Sequence, residues 1–60
     1  GDLLRQGIAL ANKGLALEGL TDLDDALEAM SQAEELFTLL NSSYLEKTRR
    51  DLERVRKARA

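Results

Sequence analysis

Cysteine, histidine, proline and tryptophan are all absent from these 60 residues. With neither cysteine nor histidine, disulfide staples and a cysteine/histidine zinc site are excluded, although domains this small often rely on one or the other. The missing histidine also leaves Ser31, Ser42 and Ser43 without the usual base for nucleophilic chemistry. Without proline, and with only four glycines, the chain has few helix breakers. Aromatics are reduced to Phe37 and Tyr44, so a core has to come from Leu, Ala, Ile, Met and Val. That set suits close helix packing and suits a β-sandwich poorly.

No run reaches the roughly 18 consecutive apolar residues of a membrane span, and no signal-peptide pattern is present. A soluble, intracellular setting is the expectation. A chain of this length makes one small domain and buries only about 60% of the surface its unfolded form exposes. Because the chain starts at Gly1, it is read as a fragment excised from a longer parent.

The apolar residues Leu3, Leu4, Ile8, Leu10, Ala11, Leu15 and Leu17 follow a helical period, which predicts a first helix over about 2–18. Asp2 is expected to cap it, and Gly19 to end it in a left-handed conformation. More than one face of this helix is apolar, so neighbours are expected on both sides. Gly7 and Gly14 are seven apart on one face and each costs about 1 kcal/mol relative to Ala, which close approach by another backbone would offset.

Thr21 followed by Asp22, Asp24 and Asp25 predicts a second helix over about 22–40, with Thr21 as its hydroxyl cap and acids at the positive end of the macrodipole. Its apolar stripe is Leu23, Ala26, Met30, Ala33, Phe37 and Leu40, widened by Leu27 and Leu36. Asn41-Ser42-Ser43 interrupts it, and Ser43 with Glu46 is the expected capping box of a third helix, about 43–59, whose thinner stripe is Leu45, Thr48, Leu52 and Val55. Short loops force consecutive helices to reverse. The fold class is therefore all-α, three antiparallel helices running up-down-up.

In the segment 14–33, Gly14, Ala26 and Ala33 fall where two antiparallel helices need small side chains to touch. Together with Leu10, Leu17 and Met30 they make residues 7–40 resemble a tetratricopeptide-type helical hairpin, with Asp22-Leu23-Asp24-Asp25-Ala26-Leu27-Glu28 similar to the opening of that repeat's second helix. Tyr44 to Ala60 has no small residue at the matching place and reads as a capping helix with a polar outer side. The three-helix layout also resembles the microtubule-interacting-and-trafficking domain, whose grooves beside the third helix accept short amphipathic helices. The repeat resemblance implies a peptide-receiving side on the first helix, occupied here by Ile8, Ala11, Asn12 and Leu15. Family members that grip a C-terminal carboxylate use Lys and Asn where Ala11 and Leu15 stand, so an apolar surface is what remains. That face is expected to meet a peptide, a neighbouring repeat or a second copy of the chain, with Ile8→Asp or Leu15→Asp abolishing association while helicity persists.

Charge is divided along the chain. Residues 1–40 carry a net −6 and residues 41–60 a net +4. The basic third helix offers Arg49, Arg50 and Arg56 to acidic groups on a partner. Alternatively its charges form a solvated face, with Glu46–Arg50 and Glu53–Lys57 as helix-stabilising pairs. Nucleic acid is not the expected partner, since no aromatic accompanies the bases, nor is a membrane surface, since the apolar stripe is narrow. Neither Asp24/Asp25 nor Glu34/Glu35 converges on one atom, because adjacent helical residues point about 100° apart. The Asp22 run also lacks the glycine and the closing glutamate of a calcium loop. Neither catalysis nor a cofactor is expected. The sequence points to a protein-interaction or assembly module, with a self-associating helical element as the structural alternative.

Overall fold

The computed structural model describes residues 2–60 and contains three helices: α1, Leu3–Gly19; α2, Leu23–Leu39; and α3, Tyr44–Arg59. No described helix is long and apolar enough to cross a membrane. α1 packs on α2 and α2 on α3. Directions follow from the contacts. Gly7 lies against the edge of the Phe37 ring and Gly14 beside Met30, so α1 and α2 are antiparallel. Arg49 pairs with Glu34 at 3.2 Å and Arg59 with Asp24, which makes α3 antiparallel to α2 and parallel to α1. This is the expected up-down-up bundle.

The small residues act as anticipated. Gly7, Gly14, Ala26 and Ala33 are all buried. A Cβ built on Gly14 would sit 2.5 Å from Met30 Cγ and 3.2 Å from the Ala26 carbonyl oxygen; one on Gly7 would sit 2.6 Å from Phe37 Cε1. The backbone of α2 itself comes close at Gly14, whereas at Gly7 the missing side chain makes room for the Phe37 ring and not for another backbone. Ala26 and Met30 of α2 join Leu52 and Val55 of α3 in the core, and Leu15, Leu17, Leu23 and Leu27 pack around it. Two members of the core faces were not foreseen: Ala29 on α2 and the carboxylate-bearing Asp51 on α3.

Helix ends depart from expectation at three points. Asp2 caps α1 as predicted, accepting the Arg5 N–H at 3.1 Å. Gly19, however, remains helical, and the left-handed residue is Thr21, with φ of 61°. The N–H of Asp22 donates to the Leu17 carbonyl at 2.9 Å and that of Thr21 to Glu18 at 2.9 Å, the paired bonds of a Schellman turn. Since Gly19 is the last residue of α1 and Leu20 its C-cap, the reversal falls two residues later than the glycine. Thr21 thus closes α1 and cannot cap α2; that role passes to Asp22, whose carboxylate accepts the Asp25 N–H at 3.5 Å. The same turn recurs at Asn41, φ 51°, with Ser42 N–H donating to Phe37 at 2.9 Å. Finally, the Ser43–Glu46 capping box is not formed. Ser43 already has helical dihedrals, φ −64° and ψ −16°, whereas a capping side chain projects from extended backbone. Ser42 Oγ accepts the Tyr44 N–H at 3.1 Å instead.

Candidate functional site

Because α1 and α3 run parallel on the same side of α2, a groove remains between them. Ile8, Ala11, Asn12 and Leu15, one to two helical turns apart, line one wall. Tyr44, Lys47, Thr48 and Asp51 line the other, and Phe37 of α2 forms the floor. A cavity of about 110 Å³ lies between them, open to solvent. Phe37 is held in place from both sides: Gly7 admits its edge, and the Tyr44 ring lies tilted against it with centroids 5.5 Å apart. All four α1 residues singled out in the sequence therefore share one surface. Ile8, Ala11 and Leu15 are half-buried and Asn12 is exposed at the rim.

One end of the groove is closed by ions. Arg54 reaches from α3 to α1, its Nε and Nη2 donating to the two carboxylate oxygens of Glu18 at 2.8 and 2.6 Å. Its Nη1 donates to Asp51 at 2.8 Å, and Lys47 Nζ donates to the other Asp51 oxygen at 3.0 Å. Such bidentate, charge-assisted bonds fix geometry as well as adding energy. The Arg54 hydrogen bonds hold the Glu18 carboxyl below its ordinary value despite partial burial. For Asp51, burial is the largest single influence and disfavours the charge, but the Lys47 and Arg54 bonds together outweigh it and also hold the carboxyl low. Arg54 is stabilised further in its charged form by Glu18 and Asp51.

The basic residues of α3 fall elsewhere. Arg49 is engaged by Glu34 of α2 at 3.2 Å, away from the groove. Arg50 and Arg56 are exposed and have no carboxylate partner among the described residues. The expected Glu53–Lys57 pair forms at 3.7 Å, whereas Glu46–Arg50 is not among the pairs of the described residues; the buried edge of α3 carries Lys47–Asp51 instead. The two groups proposed from sequence, the apolar face of α1 and the arginines of α3, thus do not converge on one site. Tyr44, Thr48, Asp51 and the Glu18–Arg54 clamp were missed as groove residues. Glu18 and Arg54 are 36 positions apart on separate helices, and only the packing of both on α2 brings them together.

A second shallow groove lies on the far side of α1, between Leu10, Lys13 and Leu17 and the α2 residues Asp25, Glu28, Ala29 and Gln32. Asp25 there titrates above its ordinary value, because it shares a hydrogen bond with Asp22 and faces that residue's charge. Among the described residues no three carboxylates gather as a metal site would require. In comparisons with known proteins, no family model matches the chain, and no curated protein or solved structure matches it.

Proposed function

We propose that the protein is a non-catalytic interaction module that receives one apolar, helix-forming segment of a partner protein in the groove between α1 and α3. The observation that carries this reading is the groove's make-up: Ile8, Ala11 and Leu15 opposite Tyr44, over a Phe37 floor, with the buried Thr48 and Asp51 as the polar part of the α3 wall. A strip of apolar positions one turn apart suits a helix presenting residues at i, i+3, i+4 and i+7. The finer family likeness belongs to the same proposal. A tetratricopeptide-like hairpin followed by a third helix lays that helix parallel to the first, and a microtubule-interacting-and-trafficking-like layout uses grooves beside the third helix. A protein partner is favoured over nucleic acid or membrane because most bases of α3 are spent on carboxylates: Lys47, Arg49, Arg54, Lys57 and Arg59 are all paired.

The test is an amide chemical-shift titration with a panel of synthetic amphipathic helical peptides, each with a leucine stripe and with acidic, basic or neutral flanks. Shifts are expected at Ile8, Ala11, Leu15, Tyr44 and Lys47, and Leu15→Asp is expected to remove them while far-UV helicity persists. Shifts confined to other surfaces, or binding unchanged by Leu15→Asp, would refute the groove as the site.

A further inference from the structure

Among the described residues six large hydrophobic side chains stay exposed, and five of them lie at one end of the bundle. Leu3 and Leu4 begin α1, Leu39 and Leu40 finish α2, and Tyr44 begins α3. The sixth, Leu20, sits alone at the opposite end. Leu39 is 73% exposed just before the Asn41 turn.

Charge is as sparse at this end as it is plentiful elsewhere. Asp2 and Arg5 pair at 3.3 Å and the Asn41-Ser42-Ser43 loop is uncharged, which leaves Glu46 in the first turn of α3 as a carboxylate without an ion-pair partner among the described residues. The flanks are the opposite case, with a net −6 over residues 1–40 and +4 over residues 41–60. A two-fold axis places the same patch of both copies face to face. Applied to the acidic sides of α1 and α2, or to the basic side of α3, it would set many like charges together; at the leucine end the unpaired charge is that of Glu46. The five side chains together expose on the order of 400 Å² of apolar surface, within the range of the largest patch on a typical monomer, which is often functional. Covering it on both copies removes about 800 Å², which belongs to the class of weak, reversible interfaces.

From this we infer that the leucine end is a self-association surface, through which two copies of the chain pair end to end as a weak two-fold dimer. The patch and the groove share Tyr44, but Leu3 and Leu39 lie outside the groove lining, so substitutions there test the pairing apart from the groove. Sedimentation velocity on the full chain tests it over about 10 µM to about 1 mM, a span that brackets micromolar-to-millimolar dissociation constants. The average mass is expected to climb toward the dimer as concentration rises, and to respond little to added salt because no ion pair crosses the interface. Leu39→Glu, and independently Leu3→Glu, is expected to keep the chain monomeric throughout, with helicity unchanged by circular dichroism. Leu20→Glu, at the other end, is expected to pair like the parent. A parent chain that stays monomeric at about 1 mM, association abolished by salt, or equal effects of Leu39→Glu and Leu20→Glu would each overturn the inference.

Discussion

Three glycines sit in one helix and are predicted to respond oppositely to the same substitution. Gly19→Ala adds a methyl group where nothing lies within 4 Å, at a residue without positive φ. It should therefore gain the helix-propensity difference, about 0.5–1 kcal/mol. Gly14→Ala gains the same backbone term but places its Cβ 2.5 Å from Met30 Cγ and 3.2 Å from the Ala26 carbonyl oxygen. Met30 is fully buried and the carbonyl belongs to helix backbone, so neither yields freely. Overpacking of this kind costs about 1–3 kcal/mol, which outweighs the propensity gain and leaves a net loss of about 1 kcal/mol. In a domain this small the two variants should then differ in Tm by roughly 6–16 °C, on opposite sides of the parent. Thermal and urea unfolding followed by circular dichroism at about 222 nm reads both. If Gly14→Ala stabilises as much as Gly19→Ala, the helices do not touch at Gly14 and the packing argument fails.

Thr21→Gly should stabilise by about 1 kcal/mol, because a β-branched residue held at φ 61° carries the left-handed penalty that glycine escapes; urea unfolding that shows no gain would contradict the strain. Asn41→Gly should gain less, since Asn tolerates that region. Gly7→Ala should displace the Phe37 ring and with it the Tyr44 ring tilted against it, which a change in Tyr44 fluorescence would report in a chain that has no tryptophan. Arg54→Ala should cost about 0.5–1 kcal/mol, the pair being half-exposed, and should also flatten the acid limb of the stability curve. Glu18 and Asp51 both have lowered folded values, so their contribution is complete above the unfolded carboxylate range, about 4, and is lost as pH falls through the folded values. Asp25, shifted the other way, works in the opposite sense, favouring the fold as pH falls. An Arg54→Ala stability profile parallel to that of the parent between about pH 5 and 2 would rule out the clamp.

The three helices and their directions were legible because periodicity, short loops and small residues all favoured the same arrangement. Gly14, Ala26 and Ala33 have one physical use in such a pattern, and the structure puts them to it. Helix ends were harder to read. A glycine at position 19 suggests a left-handed stop, but Gly19 is itself still helical, and only the backbone shows that Thr21 and Asn41 take the left-handed positions. The serine loop offered two adjacent hydroxyls, and which one caps depends on dihedrals that the residue types do not encode. At the groove, one wall was visible as the apolar side of α1. The other wall needed the parallel placement of α3, which depends on how Leu52 and Val55 seat against Ala26 and Met30. Asp51 reads as a solvated helix charge until Arg54 and Lys47 are seen to enclose it.

A nuclear Overhauser measurement tests the architecture beneath every functional statement. It predicts strong cross-peaks from the Gly7 Hα protons to the Phe37 ring and from the Gly14 Hα protons to the Met30 side chain, with Gly7 shifted by the ring current. It also predicts contacts between the Glu18 and Arg54 side chains, which hold α1 beside α3. Glycine protons lacking these long-range peaks, or Arg54 contacts confined to its own helix, would contradict the packing and remove the groove.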